Sequence, residues 1–386
     1  MRILLFVQSL NQGGPERNVS DLAHGLERRG HHVAVAALHT LGVGWRQVLD
    51  PLSLPVSIFF RDTPGNAISA ASQLVGAARR LRQLLQAQRI ETLYCTAGPV
   101  SPVIGWLATV NLPAVRLVWS VVTTLGRPSW HQNLRSWLLW RFRVLVSPTV
   151  SLLISCSEAV QVTARAQGYR CQRQCVIHPG VDVQCFRPGP AGRALLRNEW
   201  GVTPDKKLIG LVGRLDPVKG HPVFLEAARI LAAKRADLIF VCVGDGPEPY
   251  RGQLRRLGAE LGLGERLIWT GSRAYGEMPN VYSALDLLCL PSHREGLPNV
   301  IGEAMACGVP CVAARVGGVP EILGDLGITV PPGDPAALAR GVLAALRANP
   351  RPDRLREHIV RSFSLEAMVE ATERELGALR LNGEAM

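Results

Sequence analysis

Residues 286–321 read DLLCLPSHREGLPNVIGEAMACGVPCVAARVGGVPE, passing from an apolar run through a polar loop and a helix to a second apolar run and a glycine turn. A continuous apolar run as short as Asp286 to Leu290 predicts a strand buried on both faces. Pro291 to Gly296 is a loop of turn formers. Pro298 suits the first turn of a helix, where a missing N–H costs nothing. That helix is expected to run through Glu303 and Met305 and to stop at Gly308. Val309 to Ala313 is the next strand, and Gly317-Gly318 lets the chain turn sharply after it.

In a parallel sheet the loop after a strand lies at the carboxyl edge, where open α/β folds bind ligands. Glu295 sits in that loop and Glu303 in the second turn of the helix. Backbone N–H groups from Leu297 to Val300 point into the same space and favour an anion. A carboxylate accepts hydrogen bonds from two neighbouring hydroxyls at once. Two carboxylates beside a helix N-terminus therefore suit a ligand with vicinal diols and phosphates, as in a sugar nucleotide. Taken singly, either glutamate would only complement a helix dipole, worth about 0.3–1 kcal/mol.

A Glu, seven residues and a second Glu, followed by Ala-Met-Ala-Cys-Gly-Val-Pro and Gly-Gly-Val-Pro-Glu, closely resemble the donor site of retaining glycosyltransferases of family 4. Gly213-Arg214-Leu215-Asp216-Pro217-Val218-Lys219-Gly220 and Gly13-Gly14-Pro15-Glu16 resemble two further loops of that family. The resemblance covers most of the chain. It implies the GT-B fold: two doubly wound parallel-sheet, Rossmann-like α/β domains facing a central cleft. It implies that Glu295 contacts the donor sugar and Glu303 the nucleotide ribose, and that Arg214 and Lys219 bind the diphosphate. Arg214, Lys219 and Glu295 are then the catalytic set. Gly13 and Gly14 would border the donor phosphates, and main-chain groups near Ser272 and Arg273 would receive the base. Gly296, Leu297 and Pro298 belong to the same donor-binding loop, with Asn299 and Val300 beside the diphosphate. Ser120, Val122 and Thr123 stand at a strand exit on the acceptor side. Many members have His in the place of Val122; valine neither donates nor accepts a hydrogen bond, so the acceptor side departs from the pattern while the donor side keeps it.

The cations fit this chemistry. A guanidinium bridges phosphate oxygens bidentately, and an ammonium adds a mobile point charge. There is no Asp-x-Asp and no His/Cys cluster, so no metal or other cofactor is expected. Nine cysteines are scattered through apolar runs without CxxC spacing and read as reduced core residues.

The chain has 386 residues, 47% of them hydrophobic, enough for two domains. No apolar run approaches the ~20 residues that span a bilayer, and the N-terminus reads as a first strand, not a leader. The expected domains are 1–190, binding the acceptor, 191–363, binding the nucleotide sugar, and a last helix over 364–386 that crosses back to the first. The hinge is expected in Phe186 to Gly192, FRPGPAG. Asp286 and Asp325 read as helix or turn caps.

The net charge of +12 is distributed unevenly. Residues 1–190 hold 19 Arg, no Lys and 8 acids, against 24 basic and 23 acidic residues in the remainder. A basic half of this kind serves nucleic acid, anionic membranes or anionic ligands, and no nucleic-acid module accompanies the charge. Residues 131–146, HQNLRSWLLWRFRVLV, interleave Arg135, Arg141 and Arg143 with tryptophan and leucine. They fit a helix lying on a membrane surface or a core helix whose arginines snorkel. The expectation is a cytoplasmic or peripheral inner-face enzyme that moves a sugar to an anionic glycan or lipid-linked acceptor. The alternatives are a catalytically silent partner that binds sugar nucleotide, and a sugar-nucleotide epimerase.

Overall fold

The computed structural model describes residues 1–10, 14–40, 55–60, 67–96, 98–123 and 133–381. The expectations for Gly13 and for residues 131–132 fall outside these.

Strands and helices alternate along the chain because apolar runs of strand length alternate with amphipathic stretches of helix length. Strands β1 (Arg2–Leu10), β2 (His32–Thr40), β3 (Val56–Phe60), β4 (Thr92–Thr96), β5 (Arg116–Val121), β6 (Leu152–Ser155) and β7 (Arg173–Val176) form one sheet. Its order is β3-β2-β1-β4-β5-β6-β7 and its pairings are parallel. Strands β8 (Lys207–Val212), β9 (Leu238–Val243), β10 (Leu267–Gly271), β11 (Leu287–Leu290), β12 (Cys311–Ala314) and β13 (Ile328–Val330) form the second, again parallel, in the order β10-β9-β8-β11-β12-β13. Both are doubly wound.

The first unit comprises Met1–Gly180 together with the chain from Leu365 onward. Its sheet is apolar on both faces. Along β1, Leu4 and Phe6 pack with Ala77 and Leu81 of α2 (Ala67–Ala87) and Ile104 of α3 (Ser101–Thr109). Ile3, Leu5 and Val7 face the other way, against Val19, Leu22 and Leu26 of α1 (Gly14–Arg28). The C-terminal helix Leu365–Leu381 covers this second face with Met368, Val369, Leu376 and Leu379. It is held from outside by Arg29, which donates to Glu373 and Glu366 at 2.6 Å each.

The amphipathic stretch after β5 forms α4 (Leu134–Val146) and uses both of its faces. Trp140, Arg143 and Val146 are buried, whereas Leu134, Leu138 and Leu145 are 56, 53 and 76% exposed. Ser157 caps the next helix, α5 (Glu158–Ala166), by accepting from Val160 N at 3.2 Å.

The second unit is Val181–Ser364. The segment expected as a hinge lies inside it. Phe186 is 1% exposed, edge-on to Tyr275 and Tyr282 at 5.5 and 5.9 Å. Arg356 binds the carbonyls of Val183 and Phe186 at 2.7 Å. Pro190 already belongs to α6 (Pro190–Glu199). Proline and glycine marked a change of direction here, not a loose connection.

Asp286 is not a cap. From the entrance of β11 it accepts from Leu208 N at 2.7 Å, Arg193 at 2.9 Å and Arg197 at 3.0 Å, with Lys207 at 3.5 Å. It thereby ties α6 to β8 and β11. Burial alone would raise its carboxyl, but the Leu208 N–H and the Arg193 charge outweigh burial and hold it below the usual carboxylate range. Because the folded value is depressed, this stabilisation is complete above the unfolded pKa and is lost as pH falls through the folded one. Asp286→Ala leaves Arg197, whose side chain is 8% exposed, without its carboxylate. Urea unfolding should show a loss of about 3 kcal/mol. A loss under 1 kcal/mol would mean that the arginines carry no buried charge needing compensation.

Candidate active site

The strand order of the second sheet reverses between β8 and β11, the one place in that sheet where adjacent exit loops lead away to opposite sides. Residues 213–220 and 291–298 are those two loops. Across the gap Lys219 Nζ donates to Glu295 Oε1 at 2.8 Å, with the side chains 22 and 10% exposed.

Several local features set that distance. Asp216 accepts from Val218 N at 2.9 Å and opens a short 3₁₀ turn, Pro217–Lys219. Gly220 ends it at φ +70°, where a Cβ would lie 2.2 Å from the Pro291 carbonyl oxygen. His293 N donates to Val218 O at 2.8 Å, so the two loops are also joined through their backbones. On the far side, Gly317 at φ +50° brings the β12 exit loop against the backbone of Glu295, and a Cβ there would stand 2.0 Å from the Glu295 carbonyl oxygen. Gly318 N donates to Gly296 O at 2.6 Å. Glu295 is thus gripped through its main chain while its carboxylate meets Lys219.

Helix α8 (Asn299–Ala306) leads away from this loop. Pro298, expected within the first turn, is its N-cap, extended at φ −80° and ψ 113°, so the helix starts one residue later than expected. No side chain caps the helix start. Gly296, Leu297 and Pro298 are buried, and Asn299 and Val300 are half-buried. Glu303 is half-buried and accepts from Tyr282 OH at 2.5 Å. Burial and the Glu303 charge push the Tyr282 phenol well above its ordinary value, so it remains a donor and fixes the orientation of the carboxylate.

Arg214 is 75% exposed, with Asp216 at 3.6 Å, so it is the solvent-facing cation of the pair and Lys219 the half-buried, paired one. Arg273 is already engaged. Its guanidinium donates to Glu199 at 2.5 Å, lies 3.6 Å from Glu277 and covers the Trp200 ring at 5.8 Å. This leaves its main chain, not its side chain, for a ligand. His221, the first residue of α7 (His221–Ala232), is fully buried without a partner for either ring nitrogen. Burial and then Lys219 lower its pKa to about 4, so it adds no charge to the loop at neutral pH.

In the first unit, Ser120, Val122 and Thr123 stand at the exit of β5, between two small cavities. One, of ≈ 40 Å³ beside α1 and the C-terminal helix, is lined by Tyr94, Thr96, Ser120, Val122 and Thr372 among others. The second, of ≈ 30 Å³ beside α4, is lined by Gly98, Ser120, Val122, Thr123, Arg143 and Tyr169 among others. Burial pushes the Tyr94 hydroxyl up to about 12, against a hydrogen bond with Ser120. Gly14 is exposed as the first residue of α1.

Among the described residues no three His, Cys, Asp or Glu side chains converge as metal ligands, and no helix is long and apolar enough to cross a membrane. All nine cysteines are unbridged. Tyr282 and His221 were not singled out in the sequence. Tyr282 meets Glu303 only because two helices pack side by side, and His221 follows Lys219 without any spacing signal.

Two family profiles match in sequence: "Glycosyltransferase Family 4" over residues 12–184 and "Glycosyl transferases group 1" over residues 193–360. A D-inositol 3-phosphate glycosyltransferase of Mycolicibacterium smegmatis is 38% identical over 154 residues, 39% of this chain and 34% of the relative. That of Mycobacterium marinum is 37% identical over 150 residues, 39% of this chain and 32% of the relative. The matched stretch thus spans about a third of the length of these relatives. Among solved structures, Anabaena Alr3699/HepE in complex with UDP-glucose superposes with a TM-score of 0.83 at 24% identity, covering 98% of this chain and all of that one. Sucrose-phosphate synthase from Thermosynechococcus elongatus superposes with a TM-score of 0.82 at 19% identity, covering 99% of this chain and 100% of that one. With the two profiles together running over most of its length and both sheets in place, the chain belongs to glycosyltransferase family 4 and has the GT-B fold.

Proposed function

We propose that the protein is a retaining hexosyltransferase that moves a sugar from a UDP-sugar to a negatively charged glycan or lipid-linked saccharide in the synthesis of a cell-surface polysaccharide. The observation that carries this reading is the Lys219–Glu295 pair at 2.8 Å across the strand reversal, with Glu303 oriented by Tyr282 on the helix that follows. Glu303 accepts from the ribose hydroxyls, Glu295 from hydroxyls of the sugar, and Lys219 and Arg214 stabilise the diphosphate as its bond to the sugar anomeric carbon breaks. The acceptor oxygen forms its bond on the same face, and its proton passes to the departing phosphate. No protein base is required, which accommodates Val122. UDP is the preferred nucleotide because Anabaena HepE, similar over nearly the whole chain, was crystallised with UDP-glucose. Val122 favours one rival, a partner that binds donor without transferring it.

Saturating UDP-glucose, at about 100 times its Kd, should stabilise the protein by about 2.7 kcal/mol. Glu303→Ala removes the ribose acceptor and leaves the buried Tyr282 hydroxyl unpaired; UDP affinity should fall by about 1–3 kcal/mol. Unchanged affinity in a folded variant would remove Glu303 from the donor site.

Two cations at the diphosphate, Lys219 and the exposed Arg214, make a metal unnecessary. Slow hydrolysis of UDP-glucose should therefore persist in EDTA and drop about a hundredfold in Arg214→Ala. Loss with EDTA and recovery with magnesium or manganese would transfer the role to a metal. Donor binding with no turnover in any acceptor-containing lysate would favour the silent partner.

The outward face of α4 suits peripheral attachment at the inner face of a membrane. Leu134, Leu138 and Leu145 are exposed beside exposed Arg135 and Arg141. Sedimentation with anionic vesicles should weaken as salt rises, and Leu138→Asp should reduce it severalfold. Equal binding to neutral vesicles would argue against an electrostatic surface role.

A further inference from the structure

The first sheet is also concave at its amino edge, the end opposite the strand exits. There, below the starts of β5, β6 and β7, a groove of ≈ 980 Å³ is bordered by the end of α3 and by Leu379 of the C-terminal helix. The two cavities at the β5 exit hold only ≈ 40 and ≈ 30 Å³. Ligand pockets ordinarily hold about 300–1,000 Å³, so the groove has room for several linked rings. Trp106 forms part of its wall. The indole is held by Thr149 Oγ1, to which Nε1 donates at 2.9 Å, and by Phe142, edge-on at 5.3 Å.

Three turns present polar side chains to this groove, those of Asn111, Ser151 and Gln172. Their backbones are fixed: Asn111 sits in a left-handed turn at φ +59°, Ser151 N donates to Leu117 O, and Gln172 N donates to Val150 O. Their side chains make no bond among the described residues. One such group on a surface is simply solvated; here three from separate turns line one concavity. Arg116 and Arg173 open β5 and β7, so they stand about 10 Å apart across β6. Arg116 donates to Pro113 O at 3.0 Å and Leu379 O at 3.4 Å, and Arg173 Nε lies 2.9 Å from Glu375. Both guanidiniums keep Nη atoms unbonded among the described residues, and no Asp or Glu lines the groove. Amides match the paired donors and acceptors of sugar hydroxyls, and an indole offers an apolar wall to a sugar ring. Two separated guanidiniums suit carboxylates on different sugars better than one compact phosphate.

We infer that this groove binds an acidic oligosaccharide, a stretch of the glycan being extended that lies remote from its reacting end. The inference rests on the proposed transfer for the glycan's being the acceptor, but binding is tested without turnover. Strand β5 is six residues long, so the groove lies about 20 Å from the β5 exit. Only a glycan of several sugars reaches both, and long acceptors are therefore held better than short ones.

The test titrates the full chain calorimetrically with an oligogalacturonate and with a neutral maltooligosaccharide of equal length, and follows UDP-glucose by thermal unfolding. The oligogalacturonate should bind saturably, more tightly than the neutral sugar, and more weakly as salt rises. Asn111→Gly keeps the left-handed turn and removes the amide; Gln172→Ala combined with Arg173→Ala removes a second amide and one cation. Each should weaken the oligogalacturonate about tenfold and leave the UDP-glucose response unchanged. Arg135→Ala combined with Arg141→Ala, on the outward face of α4, should leave oligogalacturonate binding as in the parent. The inference is overturned if the oligogalacturonate does not bind the parent, or if both groove variants bind it as the parent does. A loss in the α4 variant as large as in the groove variants would also overturn it, in favour of diffuse attraction to a basic surface. Equal binding of the neutral sugar would overturn the requirement for acid groups. Should the double groove variant fail to fold, Asn111→Gly decides. Loss of the UDP-glucose response in the parent, with oligogalacturonate binding intact, would overturn the proposed transfer and leave the groove standing.

Discussion

The second unit is organised around one ion pair, Lys219 with Glu295. It exists because β8 and β11 are neighbours whose onward connections leave in opposite directions, opening a gap that short loops cross. The Val218–His293 backbone bond joins those two loops, and the Gly296–Gly318 bond ties the second of them to the exit loop of β12. A partly buried pair in such a gap is poised electrostatically. Each member compensates the other while the site is empty of charge, and each has a different partner when a diphosphate and a sugar arrive in the proposed reaction.

The same reasoning separates the two units by how they treat positive charge. In the second, cations are matched: Arg193 and Arg197 by Asp286, Arg273 by Glu199, and Lys219 by Glu295. In the first, the acids are fewer than the arginines. Its C-terminal helix supplies some, with Glu366 and Glu373 meeting Arg29. Arg143 is the extreme case, charged and buried without a carboxylate among the described residues. A positive surface is cheap in water and informative only as a bias, whereas a positive interior group is expensive and therefore specific.

Neutrality is also arranged. His221 is held uncharged first by its burial and then by the neighbouring Lys219 charge. Tyr282 stays protonated because it is buried and because the Glu303 carboxylate would repel a phenolate. Both residues leave the formal charges of the site to Arg214, Lys219, Glu295 and Glu303.

The sequence determined what depends on neighbours along the chain. Alternation of apolar runs with amphipathic stretches gave the strands, the helices and their parallel arrangement. Turn residues such as Gly220 and Gly317 stood out because positive φ is a property of one residue. The motif spacing from Arg214 to Lys219 and from Glu295 to Glu303 was legible for the same reason, since each pair lies on one loop or one loop-helix junction. Strand β7, four residues and half-exposed, had no such run and was missed. What the tertiary structure decided are meetings between distant residues. Asp286 finds its arginines about 90 positions away, and Tyr282 reaches Glu303 from another helix. The proline-rich segment at Phe186 is packed inside a unit instead of joining two. Arg143 looks like any surface arginine of a basic helix until packing turns it inward. Those outcomes follow from strand order and helix packing, which fix distances in space that no spacing along the sequence encodes.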